Sequence, residues 1–122
     1  MNTSWPIYFR DTLVVGNLAS EVGIATLWTP RQLFVDTLDP NDYCILGQLY
    51  SKEGINYMIR NILANPQIKY VIVCGIELSG SGKNLVSFFE KGITEDYQVI
   101  GEQNAPIHKE IPKEALEAVR QN

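Results

Sequence analysis

The chain has 122 residues, 45% hydrophobic and 20% charged, with a formal net charge of −4, which is the size of one domain with enough apolar material for a core. The acidic balance and the absence of a dense Lys/Arg run argue against a nucleic-acid partner, because the long-range field repels a phosphate backbone. No stretch approaches the roughly 20 apolar residues that cross a bilayer, and Met1 to Pro6 lacks a secretory pattern, so no membrane partner and a cytoplasmic location are expected.

In chain order, Leu13 to Gly16 reads as a short extended piece closed by the turn signal Gly16-Asn17. Val22 to Trp28 is nearly continuously apolar and reads as a strand that stops at Thr29-Pro30. Gln32 to Leu38 fits a bent strand or a loop. Asp36, Asp39 and Asp42 read as turn formers in their Leu-Asp-Pro-Asn-Asp setting. Tyr43 to Leu49 is strand-like, and Ser51 is a plausible helix cap. Ile55, Met58, Ile59, Ile62 and Leu63 then place an apolar stripe on a helix that Asn65-Pro66 ends.

Lys69 to Cys74 reads as a buried strand, Gly75 to Gly82 as a polar loop, and Leu85, Phe88 and Phe89 as the inner face of a second helix closed by Gly92. Tyr97 to Ile100 suggests a further strand, and Pro112 opens a last helix with Ala115, Leu116 and Val119 inward. Two successive strand-helix-strand passages imply parallel strands with right-handed crossovers. The expected fold is therefore a single α/β domain over residues 1–122, a three-layer Rossmann-like sandwich around a mainly parallel sheet. The N-terminal strands would sit at an antiparallel edge, and the whole would suit the N-terminal part of a longer protein.

In such a sheet, ligands sit where strands run into the starts of helices. The candidate binding residues are Gly47, Gln48, Tyr50 and Ser51 after one strand, and Gly75, Glu77, Ser79, Gly80, Ser81, Gly82 and Lys83 after the other. Glycines let backbone approach a ligand, while first-turn N–H groups favour anions or carbonyls. A solvated loop whose serines and glycines merely cap the helix is the plainer alternative. Gly82-Lys83 is not a Walker A ending: Glu77 stands at the first glycine position, and Asn84 stands where a magnesium-binding hydroxyl belongs. No Gly-x-Gly-x-x-Gly spacing occurs in this loop.

Cys44 and Cys74 lie in apolar runs and read as buried small hydrophobes. His108, the single histidine, reads as an edge residue before the last helix, and no metal site is expected from such a set. Trp5, Tyr8, Phe9 and Trp28 supply aromatic area for core packing or for an interface, including a homodimer.

The ordered pieces Leu13 to Asn17, Val22 to Leu27 and Glu53 to Glu77 resemble the cytoplasmic, corrinoid-binding domain of the tetrahydromethanopterin S-methyltransferase MtrA family, together with related domains attached to thymidylate-synthase-like chains. Ile100-Gly101, Ala105-Pro106-Ile107 and Ile111-Pro112 fit the closing pattern of the same family. The resemblance implies an α/β fold and a small polar or corrinoid-like ligand, and it implies membership of a larger protein with a C-terminal enzymatic domain or a homo-oligomer. In that family a histidine in the loop after the Gly-x-Glu pattern ligates cobalt. Here Leu78 to Gly82 carries serine in its place, so the resemblance implies an accessory binding domain, with methyl transfer through altered ligation as an alternative.

Overall fold

The computed structural model describes residues 5–9, 11–49, 51–102 and 104–121. Its sheet contains β1 (Val14–Val15), β2 (Val22–Ala25), β3 (Ile45–Gly47) and β4 (Tyr70–Val73), in the spatial order β1-β3-β2-β4. β2 is central and parallel to both β3 and β4, whereas β1 runs antiparallel along the β3 edge. The fold is thus mixed α/β with a mainly parallel sheet, and the antiparallel N-terminal edge matches the sequence reading.

Two expectations differ. Tyr97 to Ile100 is not a strand of this sheet: it forms only the isolated bridges Ile93 to Val99 and Gln98 to Pro106. Gln32 to Leu38 is neither strand nor simple loop, since Arg31–Val35 forms a short helix, α1. That helix buries none of its residues, so no apolar stripe announces it. Next comes a 3-10 turn at Pro40–Asp42, where Asp39 accepts the Asn41 N–H at 2.9 Å as an Asx turn requires.

The long helices follow the periodicity. α2 (Gly54–Ala64) buries Ile55, Ile59 and Ile62, and α3 (Ser81–Lys91) buries Leu85 and Phe88. Gly92 ends α3 at a φ of 85°, a conformation that suits glycine. α4 (Lys113–Gln121) begins directly after Pro112 and buries Leu116 and Val119. It packs against both α2 and α3, and Arg120 Nε donates to the Phe88 carbonyl at 2.9 Å, satisfying an acceptor that the end of α3 leaves open.

Burial alternates along β4: Val71 and Val73 pack against the core, while Tyr70 and Ile72 are exposed. One face of this strand is therefore covered and the other is open. No described helix is long and apolar enough to cross a membrane.

Candidate functional site

Because β2, β3 and β4 are parallel, their carboxyl ends leave the sheet on one side, with the β2 exit between the other two. The segment Thr26 to Thr29 consequently becomes the centre of this edge. The Thr26 N–H donates to the Gly47 carbonyl at 2.8 Å, the Trp28 N–H to the Ile76 carbonyl at 3.0 Å, and the Ile76 N–H to Thr29 Oγ1 at 2.8 Å. Trp28 Nε1 reaches Ser79 Oγ at 3.2 Å, and the buried Ser81 Oγ donates to the Leu49 carbonyl at 2.8 Å. Both predicted loops are thereby joined to one platform. Sequence reasoning passed over Trp28 and Thr29 because it treated the β3 and β4 exits as direct neighbours.

Gly75 makes the joint possible. Its φ is +95°, and a Cβ there would stand 2.1 Å from the Thr26 carbonyl oxygen, closer than any side chain tolerates.

The start of α3 is already partly used. The Glu77 carboxylate accepts the Gly80 and Lys83 N–H groups, each at 3.1 Å, and the lack of a side chain at Gly82 makes room for it. A carboxylate here complements the positive end of the helix dipole. It also means that Glu77 serves the helix and opposes an incoming anion. Ser79 and Ser81 share a 3.1 Å hydrogen bond. Lys83 is exposed.

One turn into α3, the side chain of Asn84 is buried, and among the described residues neither its Nδ2 nor its Oδ1 has a partner. A buried unpaired amide costs about 1–3 kcal/mol, so its presence calls for an explanation. Helical spacing puts Asn84 on the same side as Ser81.

At the other exit, Gln48 Oε1 accepts from Arg31 Nη1 at 3.3 Å, and Ser51 Oγ accepts the Gly54 N–H at 3.3 Å. Tyr50 lies outside the described residues. Gly47 approaches Leu13 so closely that an added Cβ would meet Leu13 Cδ2 at 2.2 Å. The first loop thus faces a lining of Leu13, Arg31 and Met58, while the second faces Trp28.

His108 has more partners than its sequence setting suggests. Nδ1 accepts from Arg60 Nη1 at 2.9 Å, and Nε2 pairs with Glu53. Its backbone N–H reaches Asn56 Oδ1 at 2.6 Å, and its ring meets Tyr57 edge-on. Glu53, Asn56, Tyr57 and Arg60 fall at i, i+3, i+4 and i+7, one face of α2. That polar stripe was the available signal. With Arg60 donating to Nδ1, the Nε2–H faces the Glu53 carboxylate and both ring nitrogens are engaged.

Burial pushes both thiols up from their ordinary range, against a smaller opposing effect at Cys44 from the Asn65 amide. Thiolate is the reactive form. Alkylation by iodoacetamide should therefore be slower at pH 7 than for a free cysteine and should accelerate only above pH 9, with Cys74 ahead of the fully buried Cys44. Reaction at a free-thiol rate near neutrality would contradict this. No group of three or more His, Cys, Asp or Glu side chains among the described residues could hold a metal ion.

A mixed α/β domain with three parallel strand exits tied into one platform belongs to the class of open-sheet α/β modules, whose crevices lie at the carboxyl ends of the strands. The model of the MtrA family, the A-type component of tetrahydromethanopterin S-methyltransferase, matches residues 1–122, and the chain belongs to that family. It is 34% identical over 119 aligned residues to the tetrahydromethanopterin S-methyltransferase A component of Methanosphaera stadtmanae, covering 93% of this chain and 46% of that protein. The corresponding component of Methanocaldococcus jannaschii is also 34% identical, over 122 residues covering 95% of this chain and 48% of the relative. The component designated A 2 in Methanothermobacter thermautotrophicus is 31% identical, covering 95% of this chain and 64% of the relative. The chain thus spans about half the length of the first two relatives.

Proposed function

We propose that this chain is an accessory ligand-binding domain of the MtrA type, acting in the cytoplasm within a larger methyltransferase-like assembly and holding a small polar or corrinoid-like molecule at the carboxyl edge of its sheet. The reading carries with it the three-layer, Rossmann-like arrangement expected from the sequence. Asn84 is the observation that supports it most directly: a buried amide with no partner, beside a helix start whose Ser81 and Gly82 N–H groups have no acceptor among the described residues. A ligand bearing carboxamides or carbonyls would complete these groups.

Cobalt ligation does not fit the side chains present. Ser79, Ser81 and Glu77 are spent on internal hydrogen bonds, and both ring nitrogens of His108 are held by Arg60 and Glu53. Burial keeps Cys74 protonated. No catalytic step through cobalt is therefore part of this reading.

Calorimetry of the intact protein against hydroxocobalamin, a reduced pterin and a deoxyuridine nucleotide tests it. Binding of one of them is expected, without the visible-band change that imidazole ligation produces. Asn84→Leu should weaken that binding about tenfold while stabilising the free protein by about 1 kcal/mol, because the unpaired amide is gone. Thermal or chemical denaturation reads the second quantity. No binding by any of the three, or an Asn84→Leu variant that binds equally well, would reject the proposal.

A second reading, an interaction or dimerisation domain of a thymidylate-synthase-like protein, is favoured by the exposed Tyr70, Ile72, Ile76 and Leu78 along β4 and its exit. Light scattering after Ile72→Lys tests it: a dimer that becomes a monomer supports this reading, and an unchanged mass removes it.

A further inference from the structure

Between α2, the sheet and the N-terminal segment lies a cavity of about 200 Å3 that neither Glu77 nor Asn84 lines. Its walls are predominantly apolar and include Trp5, Leu13, Gly23, Met58, Ile68 and Val71. The space exists partly because β2 carries glycine at its second position: a Cβ on Gly23 would meet its nearest neighbours only at 3.6 Å and 3.7 Å, from Ile68 and Ile45, so a larger side chain would project into the void. Interiors pack to crystal-like density, and an apolar gap of this size forfeits contacts on every wall. A dry cavity of roughly 150 Å3 already admits benzene.

Arg31 and Gln48 are the polar groups that distinguish one part of the lining. Arg31 donates to Gln48 Oε1 at 3.3 Å, and among the described residues it has no carboxylate partner. A half-buried guanidinium with most of its planar fork unused matches a carboxylate, which it can hold by two parallel hydrogen bonds.

We propose that this cavity is a second ligand site, for a small monocarboxylate whose apolar body is about the size of a phenyl ring with a short arm. The apolar body fills the space above Gly23, and the carboxylate meets Arg31. Gly47, Gln48 and Ser51 border this cavity as well as the β3 exit, but the inference stands without any ligand at the α3 end.

The test is calorimetric titration of the full chain with 3-phenylpropionate and with its neutral amide. Wild-type protein should bind the acid with a Kd below about 1 mM. Arg31→Gln should weaken the acid about 10- to 100-fold, the span of a charge-assisted hydrogen bond, and leave the amide unchanged. Gly23→Val should abolish binding of both, and Asn84→Leu should alter neither, which separates this site from the carboxyl-edge reading. No binding of the acid, or equal loss of acid and amide in Arg31→Gln, would overturn the proposal. If Gly23→Val does not fold, the Arg31→Gln comparison decides alone.

Discussion

Gly75→Ala is expected to lower stability by about 2–4 kcal/mol, the range of an overpacked site combined with a left-handed backbone forced on a residue with a Cβ. Two costs coincide at this position. The φ of +95° disfavours alanine, and the new carbon would stand 2.1 Å from the Thr26 carbonyl oxygen and 2.9 Å from Thr29 Oγ1. Neither neighbour yields easily, because Thr29 Oγ1 accepts the Ile76 N–H and its carbonyl accepts from Thr26 Oγ1. Gly80 provides the comparison within the same loop: its φ is +81°, but nothing lies within 4 Å of an added Cβ. Gly80→Ala should therefore cost only about 1 kcal/mol, the conformational part. Urea unfolding of the two variants measures the difference, and equal losses would mean that the close approach at Thr26 contributes nothing. Gly75→Ala should also weaken ligand binding at the carboxyl edge, since it separates the β2 and β4 exits.

What could be read from the sequence follows from how far each signal must reach. α2 was legible because Ile55, Ile59 and Ile62 repeat at helical spacing and are all buried, and Asn65-Pro66 supplies a local stop. The α3 start was legible for the same kind of reason. Strand order was not, because β2 enters between β3 and β4 through pairing with residues more than 20 and more than 45 positions away. Nothing local in Val22 to Ala25 encodes that choice. Tyr97 to Ile100 has strand-like residues but pairs only with Ile93 and Pro106, a local arrangement that propensity alone cannot separate from sheet membership.

The site shows the same division. Glycine content located the β4 exit correctly as a place of close backbone approach, as Gly75 demonstrates. It did not reveal that a carboxylate from within the loop would occupy the helix start. Glu77 lies three residues before Gly80 and six before Lys83, so its role depends on loop curvature that the glycines permit and do not specify. Asn84 was read only as a departure from a magnesium-binding hydroxyl, whereas its buried and unpaired amide is a tertiary property. His108 meets partners 48 and 55 residues away, and only the polar stripe on α2 could have hinted at them.

Asn61→Ala should release the N-terminal segment while leaving the sheet folded. Asn61 is buried in α2, and its side chain holds two consecutive residues: Oδ1 accepts the Ile7 N–H at 2.8 Å and the Tyr8 N–H at 3.1 Å, while Nδ2 donates to the Tyr8 carbonyl at 3.2 Å. Its backbone carbonyl accepts Trp5 Nε1 at 2.7 Å, a bond the substitution leaves available. Removing the amide strands two N–H groups, with an expected loss of about 2–3 kcal/mol. Tyr57 and Arg60 still hold Tyr8 and Phe9 through ring and cation contacts, each worth about 1 kcal/mol, which is less than the amide provides. Hydrogen exchange at Ile7 and Tyr8 should therefore accelerate by about 30- to 100-fold, and the emission of buried Trp5 should shift to the red, with exchange in β2 and β3 changing less. Asn61→Asp preserves the acceptor but loses the donor, so its effect should fall between wild type and alanine. Equal acceleration throughout the sheet would make Asn61 a global stability residue instead. Because Trp5 and Phe9 line the cavity, a released segment should also weaken 3-phenylpropionate binding even where Arg31 and Gly23 are untouched.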